Sequence, residues 1–206
     1  MAAAIGALVL ASVLWGTTGT SATFLTGGVS PLAIGATTMT LGGALLFATS
    51  ARSSLAVVGD RSHRGWLLAA AAGMVVYPLT FYAAMDLAGV AIGNVVSLGS
   101  GPLFAALLEW RVDRQRLTLR WMLSTAVALV GVALLVGGGH GAGSVVDPAT
   151  VPLGVLLGLA AGAGYALFTY AAGGLLRAGH GGRATMGAAL GLAGVPPWVR
   201  SPVPAA

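Results

Sequence analysis

Residues 90–108 form a long apolar run, with a few small polar residues in it, that ends abruptly in a charged segment. That segment carries four arginines: Arg111, Arg114, Arg116 and Arg120. About 20 apolar residues in an α-helix match the roughly 30 Å hydrocarbon core of a bilayer. A charge at the bilayer centre costs about 2.5–3.5 kcal/mol on insertion scales, so the junction between the two segments must lie at a water interface. We predict a transmembrane helix whose arginine-bearing end faces the cytoplasm.

The composition of the whole chain agrees with this assignment. Hydrophobic residues make up 57% of the sequence and charged residues only 7%, whereas soluble domains carry about 25% charged residues. This excludes a soluble binding module. The net charge of +5 is explained by arginines that flank membrane spans, so no nucleic-acid partner is predicted. The sequence contains no cysteine, which excludes disulfides and thiolate catalysis, and no cofactor is predicted.

Further apolar runs of similar length predict six spans and the start of a seventh. The six spans cover residues 2–25, 32–49, 66–85, 90–108, 121–136 and 151–176, and the seventh would begin within residues 185–198. Residues 52–65, between the second and third runs, are expected to form a loop. The predicted fold class is an all-α, polytopic transmembrane helical bundle of six to seven spans in contact with the lipid bilayer.

The arginines fix the orientation of these spans. Nine of the ten arginines fall in connections that follow even-numbered spans, and none follows spans one, three or five. These topology residues are Arg52, Arg61, Arg64, Arg111, Arg114, Arg116, Arg120, Arg177 and Arg183. Under the positive-inside rule, they predict a multi-pass protein of the inner or plasma membrane with a cytoplasmic N-terminus.

Four short motifs in order along the chain carry a family resemblance. They are Leu14-Trp15-Gly16, Asn94-Val95-Val96-Ser97, the segment 102–108, and Gln115-Arg116-Leu117-Thr118. Together they resemble the drug/metabolite transporter superfamily, EamA type. The resemblance implies ten spans in two inverted halves of five spans, and transport of small metabolites or drug-like molecules.

This resemblance also implies a domain organisation. Residues 1–138 correspond to the first five-span repeat, 139–150 to an extracytoplasmic loop, and 151–206 to an incomplete start of the second repeat. Because about three spans of the second repeat are not present, we expect a fragment, a truncated reading frame, or a chain that needs a second copy or partner to complete the bundle. The corresponding alternative to transport is a truncated membrane protein with a structural or assembly role.

Polar groups inside a span are costly unless they pair or line water, so they are the default site residues. The substrate-path candidates are Trp15, Thr17, Thr18, Thr20, Tyr77, Asn94, Ser97 and Tyr165. The threonines have an ordinary alternative, since their hydroxyls can bond a carbonyl of the preceding turn. Asn94 could instead hold spans together, and tyrosines could reach toward an interface. The substrate is expected near the midplane, between spans one, three, four and six.

Three glycines recur every four residues in span six: Gly154, Gly158 and Gly162. This spacing places them on one helix face and predicts close packing with a neighbouring helix. In the assembly alternative, the same face would pack against a partner chain.

Catalysis and metal binding find little support in the sequence. Gly99-Ser100-Gly101 offers a remote comparison with intramembrane serine proteases, but no histidine lies in a later span to act as base. His63, His140 and His180 all fall in predicted loops without metal-ligand spacing, so neither a metal site nor a catalytic residue is predicted. No charge lies deep in a span to select an ionic substrate.

The favoured function is a metabolite exporter that works by alternating access.

Overall fold

The structure is a computed structural model that describes residues 2–23, 31–114, 118–138 and 147–194. Within these residues all regular elements are α-helices. In chain order they are α1 (Ala2–Thr23), α2 (Pro31–Thr49), α3 (Ala51–Gly59), α4 (Arg64–Ala88), α5 (Val90–Val112), α6 (Leu119–Gly138), α7 (Val151–Arg177) and α8 (Gly182–Gly194). The all-helical prediction is therefore confirmed for the described residues.

The local sequence explains where these helices begin and end. Alanine and leucine are frequent in α4 and α7 and favour helix. Gly89 separates α4 from α5 with φ of 85°, a left-handed conformation that glycine adopts without steric penalty. Pro78 and Pro102 lie inside α4 and α5, an arrangement that membrane helices tolerate because neighbouring groups satisfy the freed carbonyls.

Three helices in the described part of the chain are long and apolar enough to cross a membrane: α4, α5 and α7. Helices α2 and α3 meet at a bend of 99° and form a fourth candidate if the pair is one span. Three of the six to seven predicted spans therefore have a clear counterpart among the described helices.

The prediction of a loop over residues 52–65 is wrong, because α3 occupies its first part. The hydroxyls of Ser50 and Ser54 lie 2.9 Å apart at the bend, and Ser50 Oγ donates to the Leu46 carbonyl at 2.7 Å. Helix α8 packs against the bend, since a Cβ at Gly187 would overlap both hydroxyls. The polar residues that resemble a loop in the sequence instead satisfy backbone groups at a packed corner.

The core lies between α4 and α7. Their backbones come into contact at Gly73 and Gly164: a Cβ on Gly73 would lie 2.5 Å from the Gly164 carbonyl oxygen. Small residues at such crossings permit van der Waals contact between helices, which replaces the hydrophobic effect within a bilayer. Helix α5 covers one flank of this pair, and α3 and α8 cover the other.

Helices α1 and α6 lie at the periphery. Many of their large apolar side chains are exposed, among them Leu8, Leu14, Leu123, Val127 and Leu134. A helix that is apolar on all faces suits hydrocarbon surroundings rather than water. This surface agrees with a multi-pass membrane protein.

Three contacts show which helix ends lie together. At one end, Asp60 lies beside His180, and Asp113 beside Tyr170. At the opposite end, the Thr150 hydroxyl donates to the Leu87 carbonyl at 2.8 Å. Connections that follow even-numbered predicted spans therefore meet at one end of the bundle.

The exposure of the arginines that predict the topology agrees with this arrangement. Eight of them lie in described residues and all eight are exposed: Arg52, Arg61, Arg64, Arg111, Arg114, Arg120, Arg177 and Arg183. Arg116 lies outside the described residues.

Candidate functional site

A cavity of about 260 Å³ opens between α2, α4 and α8. Its lining residues are Thr38, Met39, Gly42, Gly43, Leu46, Met74, Tyr77, Pro78, Phe81, Tyr82 and Leu190. None of these described residues carries a charge. The wall is therefore apolar with a few hydroxyl groups, a combination typical of sites for small molecules with an apolar body.

Tyr77 connects this cavity to the helix pair at the core. Its ring centroid lies 5.3 Å from that of Tyr165 on α7 and 5.5 Å from that of Phe81. Tyr165 also lies next to α5, since a Cβ added at Gly101 would be 3.5 Å from the Tyr165 ring. Two of the predicted site residues, Tyr77 and Tyr165, are thus in direct contact.

Asn94 and Ser97 lie one turn apart on α5, next to α7. Asn94 Oδ1 and Ser97 Oγ are both buried and lack a hydrogen-bond partner among the described residues. Ser97 is 1% exposed and lies against Gly158 of α7. A Cβ added at Gly158 would be 3.3 Å from the Ser97 hydroxyl. A buried polar atom without a partner costs about 1–3 kcal/mol, so these two atoms suit a bound polar group.

The predicted residues of α1 have a different outcome. Thr17 donates its hydroxyl to the Leu14 carbonyl of its own helix at 2.9 Å, which is the ordinary alternative for a threonine in a span. Trp15, Thr18 and Thr20 also lie in α1, but their side chains fall outside the described set.

The three glycines of α7 are buried against helices of the same chain. An added Cβ would lie 2.6 Å from the Ala88 Cβ at Gly154 and 3.0 Å from Val96 Cγ1 at Gly158. At Gly162 it would overlap the Ser100 hydroxyl. These three glycines, called the glycine ridge below, pack on the end of α4 and along α5.

The described residues that line the cavity belong to α2, α4 and α8. Spans one, three, four and six, between which the sequence predicts the substrate, correspond to α1, α4, α5 and α7, so the cavity and that predicted position share α4. Sequence reasoning missed Thr38 on α2 and Leu190 on α8 as wall residues. Tyr82 is 8% exposed and also lines the cavity.

A second polar cluster lies at the end of the bundle where α3 meets α4 and α7 meets α8. Asp60 Oδ2 lies 2.7 Å from His63 Nδ1 and 3.0 Å from His180 Nε2. Asp60 Oδ1 accepts hydrogen bonds from the hydroxyl and the backbone N–H of Ser62. Hydrogen bonds from Ser62, and then from the histidines, hold the pKa of the Asp60 carboxyl well below its usual range.

The neighbouring serine and histidine do not form a catalytic triad. His63 uses the same ring nitrogen, Nδ1, toward Ser62 Oγ at 2.9 Å and toward Asp60. A triad needs the two ring nitrogens on different partners, so that one takes the proton from serine while the other is held by the acid.

Comparison with known proteins gives one family and one relative. Residues 2–137 match the family described as the EamA-like transporter family. The chain is also similar to the uncharacterized transporter YwfM of Bacillus subtilis (strain 168), with 34% identity over 168 residues. The alignment covers 79% of this chain and 52% of the relative, so the chain spans about half the length of that protein. No solved structure matches the chain significantly.

Proposed function

This chain belongs to the EamA-like transporter family, and we propose that it forms part of the path by which a small, uncharged metabolite leaves the cell. The path works by alternating access, with the arginine-bearing helix ends and the N-terminus in the cytoplasm. In this proposal residues 1–138 correspond to the first repeat and 151–206 to the start of the second. Residues 139–146 and 195–206 lie outside the described residues.

The cavity between α2, α4 and α8 carries the proposal. Its volume of about 260 Å³ lies just below the roughly 300–1,000 Å³ of pockets that hold drug-sized ligands, so the substrate is small. Its wall combines apolar side chains with the hydroxyls of Thr38, Tyr77 and Tyr82. An ion would lose its hydration there without gaining a charged partner, so the wall favours a molecule without net charge.

The structural or assembly alternative rests on the glycine ridge of α7. Gly158 and Gly162 already pack against Val96 and Ser100 of α5 in the same chain. Since this face is covered from within, it offers no surface for a partner, and transport remains the function that the geometry favours.

A cavity-filling substitution tests the proposal. Gly42 lines the cavity, and an added Cβ there meets nothing within 4 Å, so Gly42→Leu enters the cavity without a backbone clash. Gly131→Leu on α6 is the matched control, because Gly131 also has open space but does not line the cavity.

The measurement is uptake of radiolabelled thymine and orotate into everted membrane vesicles that contain the chain. These probes share a pyrimidine ring and are similar in size, but thymine carries no charged group whereas orotate carries a carboxylate. We expect faster uptake of thymine than in vesicles without the chain, at least a tenfold loss in Gly42→Leu, and little change in Gly131→Leu. Uptake of orotate alone, or equal uptake by both variants, would contradict the proposal.

A further inference from the structure

Three potential metal ligands from two distant parts of the chain converge at one end of the bundle. Asp60 and His63 belong to the connection between α3 and α4, and His180 to the connection between α7 and α8. Their ligand atoms, Asp60 Oδ2, His63 Nδ1 and His180 Nε2, all lie within 4.8 Å of one another. The folded chain therefore assembles two imidazole nitrogens and one carboxylate oxygen around a single point.

We propose that Asp60, His63 and His180 form a binding site for a divalent transition metal of the Zn²⁺ type. Two imidazoles with a carboxylate are a ligand set that such ions accept, and three protein ligands leave a fourth position for water. Mg²⁺ and Ca²⁺ prefer sites made of oxygen ligands, so the two nitrogens disfavour them.

The distances fit this ion after a small adjustment. Bonds of about 2.0–2.2 Å to nitrogen and oxygen in a tetrahedron separate neighbouring ligands by roughly 3.3 Å. Asp60 Oδ2 lies 2.7 and 3.0 Å from the two histidine nitrogens, so these two pairs must open by a few tenths of an ångström. The two histidine nitrogens lie within 4.8 Å of each other. Rotation of the imidazole rings supplies such a movement without a change in the backbone.

The surroundings of Asp60 orient it as a ligand. Ser62 donates both its backbone N–H, at 3.0 Å, and its hydroxyl to Asp60 Oδ1, which leaves Oδ2 directed at the histidines. Hydrogen-bonded outer groups of this kind fix the orientation of ligating carboxylates.

The cluster is accessible to an ion from water. The side chains of His63, Asp60 and His180 are 35%, 23% and 20% exposed. This exposure provides an entry path and space for a water ligand. A metal bound here would tie the α3–α4 connection to the α7–α8 connection, so it would stabilise the packing of α8 against α3 and α4.

Calorimetric titration of the purified full chain in detergent with Zn²⁺, after treatment with EDTA, tests the site. We expect one Zn²⁺ per chain with a Kd in the micromolar range or tighter. His180→Ala and Asp60→Asn should each weaken binding at least tenfold. Asp147→Asn and Asp86→Asn are the matched controls, because neither of these described residues belongs to the cluster, and both should bind Zn²⁺ as the unchanged chain does.

His180→Gln separates the metal site from a hydrogen-bonded contact. Glutamine keeps an N–H donor for Asp60 but is a poor ligand for Zn²⁺, so it should fold with unchanged helicity by circular dichroism and still lose binding at least tenfold. The proposal is overturned if the unchanged chain fails to bind Zn²⁺ at 100-fold molar excess, if His180→Gln binds it normally, or if Asp86→Asn loses as much binding as Asp60→Asn.

Discussion

The ring of Tyr77 on α4 lies 5.3 Å, centroid to centroid, from the ring of Tyr165 on α7. Tyr77 also lines the cavity between α2, α4 and α8. Tyr77 falls within the residues that match the EamA-like family, and Tyr165 lies beyond them. This aromatic contact therefore links the cavity wall to the helix that follows the family-matched segment, so movement of α7 relative to α4 would change the shape of the cavity.

Truncation of Tyr77 should loosen this contact. Tyr77→Ala removes a buried ring that packs on Phe81 and Tyr165, and losses of large aromatic side chains from cores cost about 3–5 kcal/mol in soluble proteins. Tyr77→Phe keeps the ring and should change stability much less. Thermal unfolding in detergent, followed by circular dichroism, measures both variants. Equal midpoints for the two variants would show that the ring contact contributes nothing.

Bulk added to the glycine ridge should separate α5 from α7. Gly158→Ala places a methyl group 3.0 Å from Val96 Cγ1, and overpacking of this kind costs about 1–3 kcal/mol. Because the closest atoms belong to the valine side chain, the double variant Gly158→Ala with Val96→Ala should recover part of the lost stability. Thermal unfolding of the single and double variants measures this coupling. If Val96→Ala lowers stability as much in the Gly158→Ala background as it does alone, the two residues do not share a contact.

Replacement of Asn94 separates a site role from a structural role. Its side-chain oxygen is buried without a partner among the described residues, so Asn94→Leu removes an unsatisfied group and should leave the unfolding midpoint unchanged or raised. If Asn94 lines the substrate path, thymine uptake should fall at least tenfold. Val95→Leu, next to it on an exposed face, is the control and should retain uptake. A large loss of stability in Asn94→Leu would indicate that the amide holds helices together.

The arginine-bearing ends should face the cytoplasm. Since the chain has no cysteine, single cysteines can be introduced without removing any native one. Arg61→Cys should react with a membrane-impermeant thiol reagent in everted vesicles, whose cytoplasmic face is outward. Asp86→Cys, at the opposite end of α4, should react only in right-side-out vesicles. The reverse labelling pattern would invert the proposed orientation.

Much of the helical framework follows from hydropathy. The predicted spans 66–85, 90–108 and 151–176 correspond to α4, α5 and α7. The helices run further than the spans, to Ala88, Val112 and Arg177, because an apolar run marks the hydrocarbon core whereas a helix continues into the interface.

Other features depend on contacts that a linear pattern does not contain. Helix α3 is hidden because Arg52 and Ser53 interrupt its hydropathy, although Val57 is buried against α4 and α8. The pairing of Asp60 with His180 joins residues 120 positions apart, so spacing along the sequence does not reveal it. The short interval between Asp60 and His63, three residues across a helix start, was the available local signal.

The cavity could not be located from sequence for a similar reason. Its walls combine α2 and α8, and the close approach of Gly43 to the Leu190 carbonyl that joins them has no signature in either helix alone. Tyr77 was identified because a hydroxyl within an apolar run is costly in lipid. Met39 and Met74 were not identified, because an apolar side chain in an apolar run gives no sign that it faces a cavity.

If water and substrate reach the cavity between α2, α4 and α8, a cysteine on its wall should react with a water-soluble thiol reagent. Met39→Cys faces the cavity, whereas Leu41→Cys lies two residues along α2 at an exposed apolar position outside the cavity lining. In sealed vesicles, a membrane-impermeant thiol reagent should modify Met39→Cys at least tenfold faster than Leu41→Cys, and from one side of the membrane more than from the other. Equal, slow labelling of the two positions would show that the cavity is closed to water and is not part of a substrate path.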